Sequence, residues 1–362
     1  MTNSFVTGGC GFVGRHLVDR LLQLGHDVWI VDDLSVGLHP DQWLGPRASE
    51  TRNEGGLTRY CVDGRTVTFL MEDLSVTMLR RLGMVNHGPA FEFPRFDYVF
   101  ALASVVGGRL KIDGDPIGVA VDLAIDSLFF LWLARNKEKV GRVLYASSSA
   151  AYPINRQTAE RHLALREEMI DFTSGELGQP DMTYGWSKLT GEYLSRLAAE
   201  RYGIKIACVR PFSGYGEDQD LTYPTPAIAF RVARGDDPVV VWGSGEQGRD
   251  FVHIEDCITA MWLAVNNIED GSGVNIGTGI LTNFIEAAQI FLKLDGRPGR
   301  IKPMIDKPVG VQSRYCDPST MKARLGWEPE ISREEGFKRV LQKAYERVGA
   351  LGPDALERIN AL

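Results

Sequence analysis

The chain has 362 residues, is 44% hydrophobic and 24% charged, and carries a formal net charge of −7. That length suits one large domain plus a smaller one, and the acidic balance argues against a nucleic-acid surface. No apolar run of the roughly 20 residues needed to span a bilayer is expected, so no membrane partner is either. The five cysteines (Cys10, Cys61, Cys208, Cys257, Cys316) are scattered without paired spacing, and the six histidines show no ligand spacing. Reduced thiols, no metal and a cytoplasmic location are therefore expected. The N-terminus enters a glycine motif directly, without a signal-type segment.

In chain order, short apolar runs at 4–7, 27–31, 67–71, 98–101 and 143–147 predict strands. They alternate with helical spacing at 12–24, 76–83 and 117–135. Continuous apolar strands alternating with helices predict a parallel sheet covered on both faces, the doubly wound Rossmann-like α/β class. A polar, glycine-bearing stretch at 40–64 interrupts this pattern and reads as an insertion of loop or hairpin form. Residues 184–202 predict another helix, followed by a strand at 204–210. After Pro211 the elements become shorter and are separated by glycine and proline. A dinucleotide-binding domain over 1–210 is thus expected, with 211–362 supplying mainly a smaller mixed α/β substrate-binding domain. A strand at 274–276 returning to the first sheet would interleave the two.

Gly8-Gly9-Cys10-Gly11-Phe12-Val13-Gly14 follows the first strand and opens the first helix. Gly8 and Gly11 would give a tight turn and bare backbone for a pyrophosphate, and Gly14 close packing of helix on strand. The free N–H groups and partial positive charge of the helix start would favour the phosphates. Asp32 ends the second strand about 20 residues on, where a carboxylate hydrogen-bonds the adenosine ribose and repels a 2′-phosphate. Asp33 strengthens that discrimination, so the expected cofactor is NAD. Asp73-Leu74 could meet the adenine; an ordinary helix cap accounts for Asp73 equally well.

Tyr184 and Lys188 are four residues apart and share one helix face. Lowering a phenol from its usual pKa of about 10 by about three units takes roughly 4 kcal/mol. One ammonium about 4 Å away supplies a gain of that order at an effective dielectric near 20. The lysine could also hydrogen-bond a ribose. Ser147-Ser148-Ser149-Ala150-Ala151-Tyr152-Pro153 then places hydroxyls at the carboxyl end of a parallel sheet, where one could relay a proton or polarise a sugar oxygen.

With these motifs the chain resembles the extended short-chain dehydrogenase/reductase family, in its NAD-dependent nucleotide-sugar epimerase/dehydratase group. The resemblance runs through 7–14, 31–37, 99–104, 146–153, 184–188, 210–216, 248–256, 275–277 and 325–329. It implies that Tyr184 is the acid/base, that Lys188 binds the nicotinamide ribose, and that a serine hydroxyl assists. Counting back four from Tyr152 gives Ser148, with Ser149 as the alternative. Phe12, Val13, Ala101 and Ala103 fall within matching cofactor segments. Arg249 and Arg314 match arginines that hold a nucleotide diphosphate, a role suited to a forked guanidinium. Ser213 stands where the family usually carries asparagine, which puts the usual contact there in doubt. The resemblance also implies a homodimer formed by the helices at 117–135 and 184–202, with Leu128, Phe129, Leu131 and Trp132 as candidate contacts.

The residues before Tyr152 bear on the reaction. The group's 4,6-dehydratases carry an Asp-Glu pair there, its decarboxylases favour a glutamate at the second site, and its GDP-mannose 3,5-epimerases a cysteine. This chain has Ser149-Ala150. The expected activity is therefore a 4-epimerisation of a nucleotide-diphosphate sugar through a transient 4-keto sugar. A net reductase or dehydrogenase is the alternative, ahead of a dehydratase or decarboxylase, with a non-catalytic NAD-binding scaffold as a further reading. Gly108 and Arg109, with Lys111, lie in a loop that would face the sugar. They are consistent with an anionic sugar or simply with a solvated basic turn.

Overall fold

The computed structural model describes residues 1–88, 91–105, 107, 109–160, 162–307 and 309–350, with the side chains of 109–111 outside that description. Eight strands follow one another up to Pro211: β1 (Thr2–Thr7), β2 (His26–Asp32), β3 (Glu50–Glu54), β4 (Leu57–Val62), β5 (Arg65–Met71), β6 (Phe96–Ala101), β7 (Val140–Ala146) and β8 (Lys205–Pro211). β9 (Ser213–Tyr215), β10 (Val239–Trp242) and β11 (Gly248–His253) intervene before β12 (Asp270–Ile276) rejoins the large sheet beside β8. The resulting order is β12-β8-β7-β6-β1-β2-β5-β4-β3. From β12 to β5 every pairing is parallel. β1 sits between β2 and β6, so the winding direction reverses there and leaves a crevice at the carboxyl ends of β1 and β6.

Alternating side chains explain why both faces are covered. Val6 packs into one apolar layer with the helices Phe12–Gln23 and Ile254–Asn267. Its neighbour Phe5 packs into the opposite layer with Leu74–Arg81, Val121–Arg135 and Met182–Tyr202. The smaller unit gathers β13 (Leu281–Asn283) and β15 (Ser313–Arg314) beside β11, and pairs β14 (Ile301–Met304) with β10. Its core is aromatic, with Phe291 and Phe337 stacked at 4.6 Å.

Four expectations need correction or refinement. The 40–64 stretch begins with a short helix, Pro40–Trp43, and a helical turn, Gly45–Arg47, before the hairpin β3–β4, which extends the large sheet antiparallel to β5. The helix expected over 117–135 is broken at Ala120, into Pro116–Val119 and Val121–Arg135. Pro116 suits a first helical turn, and the Asp115 carboxylate accepts the Gly118 N–H at 2.8 Å. The whole stretch Pro116–Arg135 is, by length and composition, apolar enough to cross a membrane, contrary to the expectation that no run reaches that length. It is also the source of the fourth correction: Phe129 and Trp132 are buried in the core and cannot be intersubunit contacts, whereas Leu128 and Leu131 are half-buried. Burial of Phe129, Trp132 and Leu133, together with two buried aspartates, makes it a core helix.

The two units are tied near the glycine turn. Asp218, from the segment after β9, accepts from Arg15 at 2.6 Å and from His16 at 2.9 Å. Burial would raise this carboxyl, but His16 and Arg15 hold it well below the usual carboxylate range. A depressed carboxylate contributes stability above the unfolded-state value near 4 and loses it as pH falls through the folded value. Asp218→Asn should therefore lower the thermal midpoint at pH 7, with the deficit shrinking below about pH 4. Parallel melts of both proteins across that range check this; a deficit independent of pH would contradict the assigned pairing.

Candidate functional site

The glycine turn is shaped by contacts that exclude side chains. Gly8 has φ +70°, and a Cβ there would lie 2.9 Å from the Ala103 Cα; a Cβ on Gly14 would lie 2.2 Å from the Gly8 carbonyl oxygen. On Gly11 it would meet only that same oxygen, at 3.4 Å, so this part of the turn stays open. Thr7 Oγ1 accepts the N–H groups of Leu102 and Ala103 at 3.1 Å each, fastening the ends of β1 and β6 together. Asp32 is buried and accepts from Cys10 N–H and Leu34 N–H, each at 2.9 Å. Burial raises its pKa, and the two backbone donors only partly offset this. Each carboxylate oxygen keeps further acceptor capacity. A narrow turn with open backbone at Gly11 and an acceptor at the second strand's end fits a dinucleotide. Asp33 is exposed and accepts from Ser35 N–H. Asp73 caps the helix Leu74–Arg81 through Ser75 and Val76 N–H, and Leu74 is buried beneath it. Phe12 and Val13 pack against the core, and Ala101 is buried at the end of β6.

At the chemical end, Tyr184 is half-buried and Lys188 almost wholly buried, with the Lys188 Nζ 5.7 Å from the Tyr184 ring centre and 5.4 Å from that of Tyr145. Burial would lower the ammonium's pKa, but Tyr184, Asp126 and Asp122 outweigh it and leave the pKa above the usual lysine value. Asp122 accepts from Ser104 Oγ and Val105 N–H, each at 2.6 Å, and Asp126 accepts from the Tyr145 hydroxyl at 2.6 Å. Burial pushes the Asp126 carboxyl up to about 6 against the pull of Lys188 and Tyr145. Sequence reasoning missed both aspartates. Their signal was present as two acids four residues apart in an otherwise apolar helix.

The three serines separate in space. Ser147 donates to Glu192 and is buried, and Ser149 is buried in the turn Ser149–Ala151. Ser148 is half-buried and caps that turn, its Oγ accepting the Ala150 N–H at 3.1 Å. Glu192, on the same helix as Lys188, makes a buried pair with Arg210 at 2.6 Å. Arg210 also donates to the Tyr152 hydroxyl at 2.9 Å, and that hydroxyl donates to Asn275 Oδ1 at 2.7 Å. Tyr223, at the start of the helix Pro224–Ala233, supplies a second phenol within electrostatic reach of Tyr184, pushed up to about 12 mainly by burial.

On the smaller unit, Arg249 and Arg314 are direct partners across β11 and β15. Arg249 donates to the Gly248, Val309 and Val311 carbonyls. Arg314 pairs with Asp181 at 2.8 Å and donates to Gln157. Ser213 lies half-buried on β9, opposite Phe251. Gly108 and the Arg109 and Lys111 side chains lie outside the described residues.

A parallel, doubly wound sheet with its glycine turn at the switch point is the architecture of dinucleotide-binding α/β enzymes. The sequence matches the NAD dependent epimerase/dehydratase family over residues 4–277, and the chain belongs to that NAD-dependent family of nucleotide-sugar enzymes. It is 28% identical to a putative UDP-glucose 4-epimerase of Methanocaldococcus jannaschii over 344 residues, covering 93% of this chain and 96% of that protein. GDP-mannose 3,5-epimerase 1 of Oryza sativa subsp. indica is 27% identical over 337 residues, covering 92% of this chain and 79% of the rice protein. Among solved structures, UDP-glucose 4-epimerase of Thermotoga maritima, with UDP-glucose, superposes with a TM-score of 0.73 at 26% identity, covering 97% of this chain and all of the other.

Glu192→Gln would leave Arg210 buried without its carboxylate. Removing one partner of such a pair typically costs about 3–5 kcal/mol. Denaturant unfolding of wild type and variant should show a loss of that order, and a difference within experimental error would contradict the pair's assigned role.

Proposed function

We propose that this chain is an NAD-dependent 4-epimerase of a nucleotide-diphosphate sugar, acting as a homodimer. The observation that carries this reading is the grouping of a half-buried Tyr184, a buried cationic Lys188 and a half-buried Ser148, with no carboxylate or thiol at Ser149-Ala150. Elimination or decarboxylation calls for an additional acid/base there, whereas a reversible proton transfer at one hydroxyl does not. The similarity to the putative UDP-glucose 4-epimerase and to the Thermotoga enzyme makes a UDP-sugar the first substrate to test.

The Gly8–Gly14 turn, Asp32 at the ribose and Lys188 at the nicotinamide end would hold NAD, which would supply a hydride acceptor and donor for C4. Tyr184 removes the proton from the C4 hydroxyl and later returns one to the C4 oxygen. The Lys188 ammonium stands 5.7 Å from the centre of the Tyr184 ring, as a fixed positive charge beside the group that moves the proton. Ser148 Oγ, oriented by the Ala150 N–H, hydrogen-bonds the C4 oxygen and can relay its proton. Arg249 and Arg314 offer the nucleotide diphosphate paired guanidinium groups from neighbouring strands. Loss of the hydroxyl proton to Tyr184, together with loss of the C4 hydride to the bound cofactor, would give a 4-keto sugar; turned over within the site, it would take both back with its other face presented.

For the dimer, the exposed residues Ile117, Val121 and Leu123, with Trp186 and Tyr193 on the adjoining helix Met182–Tyr202, form the docking face. Ile117→Glu combined with Val121→Glu should halve the mass seen by light scattering; an unchanged mass would place the interface elsewhere, and a monomeric wild type would remove it.

Purified protein should release NAD on denaturation and interconvert UDP-glucose and UDP-galactose, or another C4-epimeric UDP pair, without added cofactor. Tyr184→Phe should lower kcat by about 10²–10⁴-fold while retaining NAD. A wild type that needs stoichiometric NADH to give a reduced sugar, or stoichiometric NAD to give an oxidised one, would instead be a reductase or dehydrogenase.

A further inference from the structure

The helix that carries Tyr184 begins under strain. Met182, its first residue and two before Tyr184, has φ +57°, a left-handed value that a side chain disfavours. Only Leu34 and Asp63 share such values among the described non-glycine residues. Strain of this kind persists where surrounding contacts over-determine the backbone, and here they are identifiable. The preceding residue, Asp181, is buried at the helix N-cap, yet its carboxylate makes no cap bond to that helix. It pairs instead with Arg314 at 2.8 Å, a side chain from the smaller unit. Arg314 also donates to Gln157, whose amide nitrogen in turn donates to the Tyr152 and Pro153 carbonyls at 3.0 and 3.2 Å. The Asp181 N–H donates to the Ala150 carbonyl at 3.0 Å, and a Cβ on Gly185 would lie 2.4 Å from that same oxygen. The first helical turn therefore rests directly on the backbone of the serine loop. A small rotation at Met182 would move Tyr184 relative to Ser148.

We infer that Asp181 is a positioning residue, whose ion pair with Arg314 holds Met182 in its left-handed conformation and so sets the direction in which Tyr184 meets the sugar. This rests on Tyr184 acting as the acid/base of the proposed reaction. It also means that Arg314, the expected diphosphate arginine, links the nucleotide end of the site to the proton-transfer end.

The test uses the NAD-bound protein and a glycine as a probe of strain. Asp181→Asn keeps the side-chain volume and removes the charge. At saturating UDP-sugar it should lower kcat about tenfold, because small displacements of a reacting group are costly in rate. KM, bound NAD and calorimetric UDP affinity should stay within about threefold. Adding Met182→Gly to Asp181→Asn should return kcat to within about threefold of wild type, since glycine adopts positive φ without a clamp. Lost diphosphate contact or general destabilisation would not be repaired in this way. A defect that glycine fails to repair, or weakened UDP binding with kcat intact, would overturn the inference. Should Asp181→Asn not fold, Arg314→Gln with and without Met182→Gly is read on kcat at saturating substrate alone, because that arginine is also a proposed diphosphate contact: rescue by glycine supports the clamp and its failure overturns it. If the wild type turns over no UDP-sugar, the functional reading fails on its own, and amide exchange across 182–186 decides the clamp. Faster exchange there in Asp181→Asn, with the rest of the helix unchanged, supports it; unaltered exchange refutes it.

Discussion

The buried pair of Glu192 and Arg210 is the constraint on which the site's geometry depends. Glu192 stands one turn beyond Lys188 and also accepts the Ser147 hydroxyl, next to Ser148. Arg210, near the end of β8, reaches Tyr152, which closes the serine loop and bonds to Asn275 on β12. Four segments distant in sequence thus take their positions from one carboxylate and one guanidinium. Such a pair is poor evidence for net stability, because desolvation of both ions offsets much of their attraction. Its effect lies in what it forbids: slippage of the helix against β8 would strand a charge in the core.

Around Lys188 a second balance operates. Full burial disfavours an ammonium, and the structure answers with two aspartates from the neighbouring helix and with Tyr184. The carboxylates are themselves held by Ser104, Val105 and Tyr145, so the charge beside the phenol is fixed in place and not solvated. Electrostatic influence in such a setting needs no reorganisation when a proton moves.

The doubly wound sheet was legible because apolar runs and helical spacing report burial directly, and the glycines because Gly8 and Gly14 have no room for a side chain. Tyr184 and Lys188 were legible as a pair four apart. Less could be read where the pattern carries no direction. The helix Val121–Arg135 is apolar nearly all round, so sequence could not say that Phe129 and Trp132 face the core while Val121 and Leu123 face out. Asp181, Gln157 and Arg314 meet across long separations in sequence, and no local spacing announces them. At 40–64 the sequence showed an insertion but left loop and hairpin both open, and it did not show the partner strand, since register against β5 depends on tertiary contacts.

That hairpin changes the character of the sheet's rim. Without it, β5 would end the parallel sheet with apolar residues such as Val67, Phe69 and Leu70 along an open edge. β4 covers that edge, and β3 presents to water a strand whose five residues are all exposed, Glu50-Thr51-Arg52-Asn53-Glu54. Alternating charges on an outermost strand resist the addition of further strands. A segment remote from the cofactor turn thereby gives a large parallel sheet a border at which a second molecule's strand finds mismatched charge instead of a template.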